Sequence, residues 1–213
     1  DYETPHELSP AEIPAVIAQY AHAARSAIEA GFDGVELHGA SGFLPMQFLC
    51  SKTNLRTDAY GGPATHRVRF AVEVLEAMSA AIGAGRVGIK ISPENPHNDI
   101  SDANPVETFG TLVQAISGLG LSYLHMAFAP KASADYLALL RPMFRGRFFI
   151  GGGLDHLKQL AIKGNGSMPA RGGNPDLSDI EVTRAIVYMA NQSGASFKEP
   201  AAAPADAKGA AKK

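Results

Sequence analysis

The chain has 213 residues, of which 46% are apolar and 19% charged, and its formal net charge is −2. That is the composition of an ordinary globule, and the near-neutral charge lacks the basic face that nucleic acid or an anionic membrane surface calls for. A single cysteine, Cys50, excludes an intrachain disulfide framework, and no apolar run approaches the ~20 residues that span a bilayer.

The first residues, Asp1 to His6, show no basic region followed by an apolar core, so the expected compartment is the cytoplasm and the expected partner a small molecule. Ser9-Pro10-Ala11-Glu12 predicts a helix start, with Ser9 as cap, Pro10 at the first helical position and Glu12 reaching back to the cap amide. The helix should run to about Ala30, where Gly31 stops it, and Gly34 to His38 reads as a short buried parallel strand. A loop rich in turn residues follows as far as Gly61-Gly62. From His66 to Ile82 the spacing of Phe70, Val74, Leu75, Met78 and Ile82 has helical period. Val87 to Ser92 is a second strand, Val106 to Leu119 a helix, Ser122 to Ala127 a third strand, Asp135 to Met143 a helix and Arg147 to Ile150 a fourth strand entering Gly151-Gly152-Gly153. Helix and strand alternating over short connections predict parallel βα units. Ligands of such folds collect at the carboxyl ends of the strands, here His38, Lys90 to Pro93, His125 to Ala127 and the three glycines.

Several motifs in order then carry a resemblance: Gly31 to Phe43 around His38, Gln47 to Leu49, Asn54 to Gly62, Arg67 to Phe70, and Val87 to Pro93. Together they resemble the old yellow enzyme family over about residues 5–155. The resemblance implies an α/β fold, a partial (β/α)₈ TIM barrel of about four βα units equivalent to strands four to seven. It also implies an FMN cofactor, NAD(P)H as reductant and an activated, α,β-unsaturated alkene as the substrate that receives hydride.

By the same resemblance, His38 and its partner Ser41 are the catalytic pair that donates hydrogen bonds to the substrate carbonyl. Ser41 stands where the family has Asn or His, and a hydroxyl reaches less far. Phe43 stands where the family usually has the proton-donating Tyr, so it is expected as a wall of the substrate pocket. Lys90 takes the place of an Arg beside the flavin, keeping the charge and losing the bidentate fork. Gly151, Gly152 and Gly153 match the loop whose backbone amides help hold the FMN phosphate. Asn54, Arg56, Asp58 and Tyr60 are expected to organise the loop after the His38 strand. His97, His125 and Cys50 are expected in core or loop, with no metal site.

Beyond the glycines, Leu160 to Met189 resembles the end of a class I c-type cytochrome, with Met168-Pro169 as the axial-ligand loop and Ser178 to Glu181 as a capping box. Ile180, Ile186, Val187 and Met189 are available for burial. The expected domains are a partial FMN-binding barrel over 1–156, a helical cytochrome-c-like appendage over 157–198, and a disordered Ala/Pro/Lys tail over 199–213. No Cys-x-x-Cys-His occurs in the chain, so Met168 serves as a metal ligand only in an alternative in which the chain is a haem electron-carrier remnant. The other alternative is a non-catalytic half barrel that homo-oligomerises through its open sheet edges.

Overall fold

A computed structural model describes residues 4–127, 132–151, 158, 161–164, 169–192, 198 and 200–201. The chain divides into two compact units, Asp1–Gly151 and Gly152–Lys213.

In the first unit, helix α1 (Ile13–Glu29) leads into strand β1 (Val35–Gly39) through a turn in which Gly31 takes φ +96°, open to glycine at little cost. Short helices α2 (Leu44–Leu49) and α3 (Ala64–Arg67) precede the long α4 (Arg69–Ile82). Then come β2 (Val87–Ile91), α5 (Pro105–Ile116), β3 (Tyr123–Ala127), α6 (Tyr136–Leu140) and β4 (Arg147–Gly151). The four strands form one sheet in the order β1-β2-β3-β4, every pair parallel. Each strand lies beside the next in sequence with no reversal of order, which is how a (β/α)₈ barrel is wound and not how a doubly wound sheet is built.

Period-two alternation gives the sheet two unlike faces. Leu37, Ile89, Ile91, Leu124 and Met126 are buried in one core with Phe70, Val74 and Leu75 of α4 and Phe109, Leu112, Val113 and Ile116 of α5. Each such side chain contributes roughly 1.5–3 kcal/mol of transfer free energy. The opposite face carries Glu36, His38, Lys90, Tyr123, His125 and Phe149, all exposed or half-buried. In a closed barrel that face points inward.

Several sequence expectations shift. Ser9 to Glu12 makes the expected contact, the Glu12 carboxylate accepting from the Ser9 amide at 2.7 Å, but it closes a separate turn; the helix proper starts at Ile13 and the proline in its first turn is Pro14, not Pro10. The stretch expected as loop after β1 holds α2, a single short turn with Pro45 at its head, too brief to show a period. The helix expected from His66 is divided at Val68, where the Arg67 guanidinium is drawn into the preceding loop, donating to the carbonyls of Leu49 at 2.7 Å and Gly62 at 2.6 Å. Helix α5 starts one residue earlier than expected because Asn104 caps it, accepting from the Glu107 amide at 3.4 Å ahead of Pro105.

In the second unit, α7 (Asp179–Gln192) opens on the expected capping box, with the Ser178 amide donating to Glu181 at 3.0 Å and the Glu181 amide to the Ser178 hydroxyl at 3.3 Å. Val182, Ile186 and Val187 are buried, whereas Ile180 and Met189, both expected to be available for burial, are exposed. Arg171, at φ +54°, pairs with Asp179 at 2.6 Å and donates to the Leu177 carbonyl, folding the Arg-Gly-Gly turn onto the head of α7. Among the described residues no helix is long and apolar enough to cross a membrane.

Candidate active site

The register of the sheet places His38 opposite Lys90, Lys90 opposite His125 and His125 opposite Phe149. One row across the open face therefore brings together the two residues singled out from the sequence and a third, His125, which topology put at a strand end but which was expected as core or loop. That expectation is corrected: His125 stands on β3 at the same height as Lys90, and its side chain is on the open face, 24% exposed. The signal that could have found it was parity, since His125 occupies in its strand the place that His38 and Lys90 hold in theirs.

The imidazole of His38 stacks on the phenyl ring of Phe43, with centroids 4.1 Å apart and planes 27° apart. Phe43 is 51% exposed, on the loop after β1. Partial burial, then the charge of Lys90, and also His125, hold the His38 pKa below its ordinary value, against an opposing pull from Glu36. At neutral pH the ring is therefore neutral and retains one N–H to donate.

Ser41 sits at φ +53°, a left-handed conformation unusual for serine, followed by Gly42 at φ +79°. Two contacts hold it there: its amide donates to the buried Ser92 hydroxyl at 2.8 Å, and its carbonyl accepts from the Asn98 side chain at 2.9 Å. A side chain on Gly42 would collide with Asn98. The loop that carries Ser41 is thus tied to the end of β2. The Ser41 hydroxyl has no hydrogen bond among the described residues.

Lys90 is half-buried and has no ion pair among the described residues. The carboxylate on this face, Glu36, is taken by His125, whose Nδ1 lies 3.0 Å away. Gly151 ends β4 close to His125: a Cβ there would overlap Nε2. Gly152, Gly153 and Met168 lie outside the described residues, as does most of the tail from Glu199. Among the described residues no three His, Cys, Asp or Glu side chains form a metal-binding group.

The polar loop residues expected as structure are structural. Asn54 donates to the carbonyls of Phe48 at 2.6 Å and Tyr60 at 2.7 Å, and Arg56 pairs with Asp58 at 2.5 Å and donates to the Leu8 carbonyl. Cys50 is buried, and burial together with the nearby Asp102 carboxylate pushes its thiol up to about 12.

A parallel sheet wound in barrel order, with His38 and Lys90 side by side at the strand ends, defines part of a (β/α)₈ barrel. Residues 1–137 match the model of the NADH:flavin oxidoreductase / NADH oxidase family, and the chain belongs to that family. It is 41% identical over 190 residues to 12-oxophytodienoate reductase 1 of Oryza sativa subsp. japonica and 38% identical over 190 to 12-oxophytodienoate reductase 2 of Arabidopsis thaliana. Each match covers 83% of this chain and 50% of the relative, so the likeness runs past Gly151 into the second unit. Among solved structures, morphinone reductase in complex with tetrahydroNAD superposes with TM-score 0.68 at 36% identity, over 71% of this chain and 42% of that one. The chain spans about half the length of the curated relatives it matches.

Proposed function

We propose that this chain forms part of an FMN-dependent ene reductase, a cytoplasmic oxidoreductase that draws hydride from NAD(P)H, with NADPH as the reductant, and reduces small α,β-unsaturated carbonyl compounds. The observation that carries it is the row His38–Lys90–His125 at the open face of a parallel barrel sheet.

The residues present suit a flavin. An anionic reduced ring needs a cation that no carboxylate neutralises, and Lys90 meets that need among the described residues. Gly151 leaves the backbone bare at the end of β4, and the glycines after it would hold the phosphate through their amides. When bound, the flavin supplies the hydride chemistry. His38, neutral and steadied by Phe43, donates its N–H to the carbonyl oxygen of the substrate, where negative charge grows as the alkene is reduced. Ser41 adds a second, shorter-reaching donor. Phe43 excludes water from one side and gives no proton, so the α-carbon takes its proton from solvent.

Among the described residues β1 and β4 are each paired on one side only, and a second copy would associate through those edges. The second unit adds a helical appendage capped at Ser178.

A flavin titration followed by fluorescence tests the reading. Saturable quenching by the wild-type chain, weakened at least tenfold in Lys90→Met, is the expected result; a wild-type chain that never quenches FMN contradicts it.

A further inference from the structure

Glu36 and His125 stand on β1 and β3, which are not neighbours: β2 runs between them. Adjacent strands lie roughly 4.8 Å apart, so a contact between β1 and β3 has to cross about twice that distance over whatever side chain β2 presents. In the row of Glu36, β2 presents Gly88, followed by Tyr123 on β3. A Cβ on Gly88 would fall inside the Tyr123 ring. The ring therefore lies across the gap, and burial, then the nearby Glu36 carboxylate, hold the Tyr123 pKa above its ordinary value. The same carboxylate accepts from Nδ1 of His125 at 3.0 Å. A glycine inside a strand marks a close approach, and here the approach is made by side chains of the next strand.

The contact fixes where the imidazole carries its proton. An ionised carboxylate only accepts, so Nδ1 bears hydrogen, and Nε2 is the nitrogen left to meet a ligand. Nε2 lies beside Gly151, at the head of the glycine run, where a Cβ would overlap it, and has no hydrogen bond among the described residues.

We propose that His125 is a flavin-binding residue and Glu36 its positioning residue, joined across the side-chain gap left by Gly88 so that Nε2 meets the bound cofactor beside Lys90. This rests on the flavin reading above. It assigns a role to three residues, Glu36, Gly88 and His125, that the likeness to flavin enzymes left without one.

The test has two arms on the full chain. In the first, long-range ¹⁵N–¹H spectra of the cofactor-free protein report which imidazole nitrogen of His125 carries hydrogen: Nδ1 is expected in the wild type, with a change toward Nε2 in Glu36→Ala. In the second, FMN is titrated by fluorescence, and Glu36→Ala and His125→Ala are each expected to raise Kd about tenfold, one hydrogen bond's worth, with circular dichroism unchanged. Gly88→Ala, which displaces the Tyr123 ring, is expected to weaken FMN as Glu36→Ala does. Unchanged protonation in Glu36→Ala overturns the pairing, and wild-type FMN affinity in His125→Ala overturns the binding role. A wild-type chain that takes up no FMN overturns the flavin reading and the Nε2 contact together, while the first arm still decides the Glu36–His125 pairing by itself.

Discussion

The rings of His38 and Phe43 are stacked at 4.1 Å. A hydroxyl added to the exposed Phe43 ring would be carried beside the His38 imidazole. General acids contribute typically 10²–10⁴-fold to such steps. Phe43→Tyr is therefore expected to raise alkene turnover on the order of 10²-fold, read as kcat for NADPH oxidation in the presence of an enone, with FMN affinity unchanged. Unaltered turnover would remove Phe43 from the neighbourhood of the reacting carbon.

Arg67 and Asp102 form the buried anchor of the loop behind the site. The guanidinium lies 3.4 Å from the carboxylate and donates to Thr108 at 2.5 Å as well as to two carbonyls. Removing one member of a buried pair leaves the other unsatisfied, at a cost of about 3–5 kcal/mol. Arg67→Ala should lower the urea unfolding free energy by that amount, and a loss below about 1 kcal/mol would reduce the pair to a surface contact.

Asp102 also sets an acid limit on stability. Burial alone would raise its pKa, but the neighbouring Thr108 hydroxyl, hydrogen bonds from Ser51 and the Asn104 amide, and the charge of Arg67 outweigh burial and hold it low. Because the folded value lies below the unfolded one, the contribution is complete above the ordinary carboxylate value of about 4 and is lost as the pH falls through the folded value. Asp102→Asn should flatten the stability profile below about pH 4; an unchanged acid limb would place the sensitivity elsewhere.

Cys50, buried and with its thiol at about 12, holds almost no thiolate at pH 8. A disulfide reagent such as DTNB should leave it untouched in the folded chain and titrate one thiol in denaturant. Rapid reaction under native conditions would show that the end of α2 opens readily.

Much of this architecture was legible in the sequence because the first unit is built from locally consistent signals. Phe70, Val74, Leu75 and Met78 declare α4 by period, and Val87 to Ile91 declares β2 by its apolar run. The register that aligns His38 with Lys90 follows from those strands being neighbours. What the sequence hid depended on contacts distant along the chain. Helix α2 is too short to carry a period, α4 is divided from α3 by the tertiary anchoring of Arg67, and Pro14 is the helix-starting proline because the Ser9 turn closes on itself first. The partnership of His125 with Glu36 spans 89 residues and needs Gly88 between them, which no local motif announces. The reading of Gly152, Gly153 and Met168 rests on sequence likeness alone.

The central claim is that the His38–Lys90 row belongs to a flavin seat at which an enone is reduced. The most direct measurement is anaerobic: load the purified chain with FMN, add NADPH and follow the flavin absorption, then add 2-cyclohexenone. Bleaching by NADPH, return of the oxidised spectrum with the enone, and loss of that return in His38→Ala are the expected results. A bound flavin that NADPH cannot bleach, or that the enone cannot reoxidise, would contradict the claim.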